Sequence, residues 1–144
     1  MGASDRGPLK LTKGEEVAER VTAGKSPTQM FALVFGAVYV IVGLLGFVNE
    51  PILGIFDVNA LHNIVHLLIG GALLFGSSKH DTAKTVCLAV GVAYLLVALI
   101  GFVATDFLDD LIRINQADNF LHLFSGAAAL YFGTAGAATA RTTV

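Results

Sequence analysis

The sequence predicts an all-α integral membrane protein, a four-helix bundle made of two parallel-repeat helical hairpins. Three observations predict it. Charge is scarce: of 144 residues 14% are charged and 55% hydrophobic, with a mean hydropathy of +0.74. Soluble domains carry about 25% charged residues, so this chain cannot cover a globule with polar surface, and lipid is its expected solvent. Four apolar segments lack Asp, Glu, Lys and Arg altogether. The two halves of the chain also align with each other.

The expected spans are about 30–48, 60–76, 85–105 and 119–136, within a transmembrane domain at 27–140. The first runs for 19 residues and the third for 21 without a charge, close to the roughly 20 residues that cross a hydrocarbon core. The second and fourth carry His and Asn near their starts. Start signals agree with this layout. Ser26 stands as an N-cap before Pro27, with Gln29 placed to complete a capping box. Asn59 and Asn115 are favoured N-caps for the second and fourth helices, which puts His62 and Asp118 at the third position of each. The loop at 51–56, apolar and followed by Asp57, and the loop at 107–114, apolar with Asp109 and Asp110, predict short interfacial helices.

Residues 1–26 predict a cytoplasmic tail. Asp5, Glu15, Glu16 and Glu19 intersperse its basic residues and no apolar run begins before Met30, unlike a signal peptide. Thr12 and Glu15 have capping-box spacing, and a short helix from about Lys13 to Ala23 with a Glu16/Arg20 pair would follow. Its apolar face, Val17 and Val21, is thin for membrane anchoring.

Topology follows from the basic residues. Arg6, Lys10, Lys13, Arg20, Lys25, Lys79, Lys84 and Arg141 fall on one side and Arg113 alone on the other, beside Glu50, Asp57, Asp106, Asp109, Asp110 and Asp118. The positive-inside rule then places both termini in the cytoplasm. The expectation is a multi-pass protein of the bacterial cytoplasmic membrane.

The repeat is legible residue by residue. Gly36, Tyr39, Gly46, Phe47 and Val48 recur as Gly91, Tyr94, Gly101, Phe102 and Val103 at an offset of 55. After one inserted residue, Asn59, Asn63, His66, Leu67, Gly70, Ala72 and Leu74 recur as Asn115, Asn119, His122, Leu123, Gly126, Ala128 and Leu130. Apolar matches are cheap in membrane helices, whereas matched Tyr, Asn and His are not. Two spans per copy make this a parallel repeat, which lacks the paired gates of the inverted repeats common in carriers. The 16 glycines and the line Ser125, Ala129, Gly133 on the fourth helix predict close helix packing. Gly36 with Gly43, and His66 with Gly70, share helix faces in the same way.

Tyr39, Asn63, His66, Tyr94, Asn119 and His122 are the candidate site residues. On a rise of about 1.5 Å per residue, His66, His122, Tyr39 and Tyr94 lie at similar depth in the outer half of the membrane. Hydrocarbon penalises each of them, so each is expected to face inward with a partner. Three readings stay open. One is a structural hydrogen-bond network, with Tyr or Asn side chains or backbone carbonyls satisfying the histidines. A second is haem b held by His66 and His122, or a zinc or copper site of His62, His66 and His122. The third is a lipid or small-molecule pocket between the repeats. No nucleophile with an adjacent base and no phosphate-binding loop is visible, so no enzyme is expected. Cys87, alone in an apolar run, reads as a packed residue, and a net charge of −2 gives no reason to expect nucleic acid.

The segments Leu61-His62-Asn63-Ile64-Val65-His66-Leu67-Leu68 and Asn115-Gln116-Ala117-Asp118-Asn119-Phe120-Leu121-His122-Leu123 carry a family resemblance. As LHNxVHLL and NxADNxLHL they resemble a family of small four-helix membrane proteins, common in actinobacteria and known as a domain of unknown function. The resemblance covers roughly Thr28 to Gly136, with a shorter loop at 49–58. It implies four spans and residence in a bacterial membrane, and it implies no activity. The resulting expectation is a scaffold or accessory subunit that binds lipid or protein in the membrane plane, as a homo-oligomer or within a larger complex, with no cofactor.

Overall fold

The computed structural model describes residues 12–16 and 24–135. Within them the chain is all-α. A helical turn at 13–16 precedes five helices: α1 (Pro27–Leu45), α2 (Ala60–Gly76), α3 (His80–Val103), α4 (Thr105–Ile112) and α5 (Gln116–Ala135). Two of these, α1 and α3, are long and apolar enough to cross a membrane, and α2 is a shorter apolar helix.

The helix starts follow the local chemistry. Ser26 accepts the Gln29 backbone N–H at 3.2 Å while the Gln29 side chain accepts the Ser26 N–H at 3.1 Å, with Pro27 at the first helical position. Asn59 accepts from the His62 N–H at 2.9 Å. Asn115 accepts from the N–H groups of Ala117 and Asp118, and Asp118 accepts from the Asn115 N–H in return. These bonds meet donors that every helix N-terminus leaves unpaired. Thr12 and Glu15 form the same reciprocal pair in the tail, which holds the Glu15 carboxyl below its usual range. The rest of the helix expected there, with Arg20, lies outside the described residues.

Two elements differ from expectation. α3 begins at His80 and not at 85, because hydropathy marks the lipid-compatible stretch while a helix also continues through its polar first turn. The Thr85 hydroxyl donates to the Asp81 carbonyl within that turn. The loop at 51–56 is not a helix. Leu53 and Gly54 have φ of 54° and 71°, a left-handed pair that a right-handed helix cannot include, and Ile52 pairs with Phe56 in an isolated bridge. The matching loop of the second half does form a helix, α4, which buries Leu108.

α1 packs along α2, and α3 along α5. The two pairs meet mainly through α3 against α1 and α2, and less through α1 against α5. Both pairs use glycine for close approach. A Cβ at Gly36 would sit 2.8 Å from the Leu74 nitrogen, and one at Gly91 would sit 2.9 Å from the Leu130 nitrogen. Toward the C-terminal ends of α1 and α3, a Cβ at Gly46 or Gly101 would overlap the carboxamide of Asn63 or Asn119 respectively. At the other end, Lys25 and Gln29 donate to the Ser77 carbonyl, the Ser26 hydroxyl meets His80 Nδ1 at 2.8 Å, and Thr28 donates to the Phe132 carbonyl.

Polar residues share the interior with an apolar core that includes Phe31, Leu73, Cys87 and Val90, and large apolar side chains also lie outside. Thr28, His62, Asn63, His66, Asp118, Asn119, His122 and Ser125 are buried, whereas Leu68 is 67%, Phe75 75% and Phe124 68% exposed. Contiguous apolar surface is uncommon on soluble monomers. Cys87 is buried and free.

Candidate functional site

The polar core is built by four helices. α2 supplies His62, Asn63 and His66, one turn apart on one face, and α5 supplies Asn119 and His122. Tyr39 of α1 and Tyr94 of α3 face them. Tyr39 lies 5.4 Å from His66 and Tyr94 lies 5.0 Å from His122, ring centre to ring centre, and the two tyrosines are 5.3 Å apart.

Three imidazoles converge at the centre. The His62 and His66 rings are 4.4 Å apart, His62 and His122 5.7 Å, and His66 and His122 6.3 Å. One ring nitrogen from each lies within 4.8 Å of the other two. All three rings are buried, at 3% exposure or less.

Four of their six nitrogens lack partners. Among the described residues no hydrogen bond reaches His62 Nε2, either nitrogen of His66, His122 Nδ1, the Tyr94 hydroxyl, Asn63 Oδ1 or the Asn119 carboxamide. The hydrogen bonds expected of His66 and His122 are therefore not made. The Tyr39 and Tyr94 rings lie tilted at 49° and 55° to those of His66 and His122 without a hydrogen bond to them, so inward orientation alone does not satisfy an imidazole. Leaving a buried polar atom unpaired costs about 1–3 kcal/mol, and four imidazole nitrogens are unpaired in this cluster.

His62 is the best oriented. Its Nδ1 lies 3.3 Å from the Arg113 carbonyl. A donated Nδ1–H there leaves the Nε2 lone pair aimed at the cluster, the arrangement that orients most metal-bound histidines. A backbone carbonyl in a loop leaves no mark in a sequence, so this contact was not foreseeable. Asp118, which stands where the first half has His62, turns elsewhere: its Oδ2 accepts the Asp57 and Asn115 N–H groups. Asn59 and Asn115 reach across to each other's loops, donating to the Leu111 and Ile55 carbonyls.

The family described as domain of unknown function (DUF4383) matches residues 29–135. The chain belongs to that family. No curated protein and no solved structure matches it. Within this DUF4383 member, both quoted motifs lie inside the matched residues and deliver their histidines to one point. Ser125 and a lateral cavity beside His66 complete the surroundings. Only the small-residue line containing Ser125 signalled them in the sequence.

Proposed function

We propose that this chain is a membrane-embedded metal-binding protein, in which His62, His66 and His122 hold one imidazole-preferring ion, zinc or copper. The observation that carries the reading is the convergence of three buried imidazoles, each with at least one nitrogen that has no hydrogen-bond partner. Tetrahedral zinc at about 2.05 Å from each nitrogen holds its ligands about 3.3 Å apart, so the set needs to close by at most about 1.5 Å through small ring rotations. All-nitrogen ligation suits zinc and copper and disfavours magnesium and calcium. Three neutral ligands leave an open coordination position, and the Tyr94 ring, 5.0 Å from that of His122, carries an unpaired hydroxyl.

The reading includes a bilayer. We take residues 27–140 as a four-span bundle of two parallel-repeat hairpins, with the tail at 1–26 and the loop at Lys79 to Lys84 cytoplasmic. Support comes from the apolar exterior, the paired glycine contacts and the distribution of basic residues. Haem b between His66 and His122 is disfavoured, because the His62 ring, 4.4 Å from His66 and 5.7 Å from His122, occupies the space a macrocycle needs. The scaffold role loses one of its supports, since Ser125, Ala129 and Gly133 are buried and offer no outward docking line. The proposed role is binding, not catalysis.

Metal analysis of the purified full chain, loaded separately with Zn(II) and Cu(I), tests this. The expected result is one ion per chain, lost equally in His66→Gln and His66→Leu because an amide replaces imidazole poorly. Retention by the Gln variant alone, or no binding by the parent chain, would overturn it.

A further inference from the structure

A cavity of about 450 Å³ lies between α1 and α5 and ends at His66. Its walls are Phe35, Val38, Val42, Leu121, Phe124 and Ala128, and its polar lining is Tyr39, His66 and Ser125. The volume falls within the roughly 300–1,000 Å³ of small-molecule sites. Val38 and Phe124, 47% and 68% exposed, lie on the outer surface of the bundle, so the cavity opens sideways. In a bilayer, that direction is lipid.

We propose that this cavity takes a lipid-soluble quinone from the membrane, with one ring carbonyl directed at Tyr39 and His66. The chemistry of the lining selects the class. No Asp, Glu, Lys or Arg lines the cavity, so a phosphate headgroup or a fatty-acid carboxylate would enter without a counter-charge, at a large desolvation cost. A bare acyl chain would leave the polar end unpaired. A neutral, flat head that accepts hydrogen bonds uses all three polar groups, since the Tyr39 and Ser125 hydroxyls and an imidazole N–H can each donate. Phe35, Tyr39 and Phe124 supply aromatic surface for a flat ring. The prenyl tail leaves past Val38 and Phe124 into lipid. Imidazole has two nitrogens, and those of His66 are both unpaired. Whichever one joins the histidine cluster, the other can face the quinone, so binding needs no bound ion.

Photoaffinity labelling of the full chain in nanodiscs, with an azido-benzoquinone bearing a short alkyl tail, tests this. It is done on metal-stripped and on metal-loaded protein. The expected label falls on Phe35, Leu121 or Phe124 in both preparations. Excess decyl-ubiquinone removes it and oleic acid does not. Val38→Trp, which covers the mouth from the lipid side, should cut labelling at least tenfold with the melting temperature unchanged, and Tyr39→Phe should weaken competition several-fold. Label scattered outside the cavity, equal competition by oleic acid, or full labelling of the Val38→Trp protein would each overturn the proposal. Failure of metal binding alone would leave it standing, because the stripped protein is expected to label. Labelling that requires the ion would contradict it while supporting the ion site.

Discussion

The two hairpins share a framework and differ in what they place on it. In the first, Gly36 meets the backbone of α2 and Gly46 faces Asn63; in the second, Gly91 meets α5 and Gly101 faces Asn119. Tyr39 sits beside His66 as Tyr94 sits beside His122. The exception is the third helical position. His62 enters the central cluster, whereas Asp118 ties down the backbone of both outer loops. Matching helix contacts thus surround an unequal cluster, with two imidazoles from one half and one from the other. The shared positions serve packing, and in the proposed reading the divergent one serves chemistry.

Removing imidazoles breaks the comparison most severely. Changes to outer-shell partners cost about 10–100-fold in metal affinity, so His62→Leu, His66→Leu and His122→Leu should each cost more than about 100-fold, read by competition with a chelating dye. If His62→Leu binds as tightly as the parent, the divergent position is not a ligand.

Framework changes should be equal in the two halves. Gly46→Ala and Gly101→Ala each force a methyl group into an Asn carboxamide and should cost about 1–3 kcal/mol, read as matched drops in melting temperature in detergent. Gly71→Ala, with open space around its Cβ position, is the control and should not destabilise. A large loss in one half only would show that the halves are not equivalent. Asp118→Ala removes two accepted hydrogen bonds and should cost about 1–2 kcal/mol, by analogy with a lost cap, while ion binding persists. The smallest effect belongs to the exposed Arg113–Glu50 ion pair, 2.6 Å apart. Arg113→Gln should change stability by less than about 1 kcal/mol, because only the Arg113 carbonyl contacts His62.

Much of this was legible in the sequence. The caps at Ser26, Asn59 and Asn115 follow from side-chain chemistry that acts over three residues. The buried His66 and His122 follow from helical spacing, which sets them on one face with Asn63 and Asn119. The left-handed pair at Leu53 and Gly54 was not legible, since leucine seldom adopts that conformation and signals nothing. Nor was the missing satisfaction of the imidazoles, because whether a tyrosine presents its hydroxyl or its ring face depends on helix rotation. The lateral cavity depends on the spacing of α1 and α5, which no local pattern sets.

X-ray absorption at the zinc edge of the zinc-loaded chain tests the central claim most directly. The account predicts three imidazole nitrogens at about 2.0 Å with one further light atom, and loss of one imidazole in the His62→Leu protein. A first shell of oxygen alone, or a spectrum unchanged by His62→Leu, would contradict it.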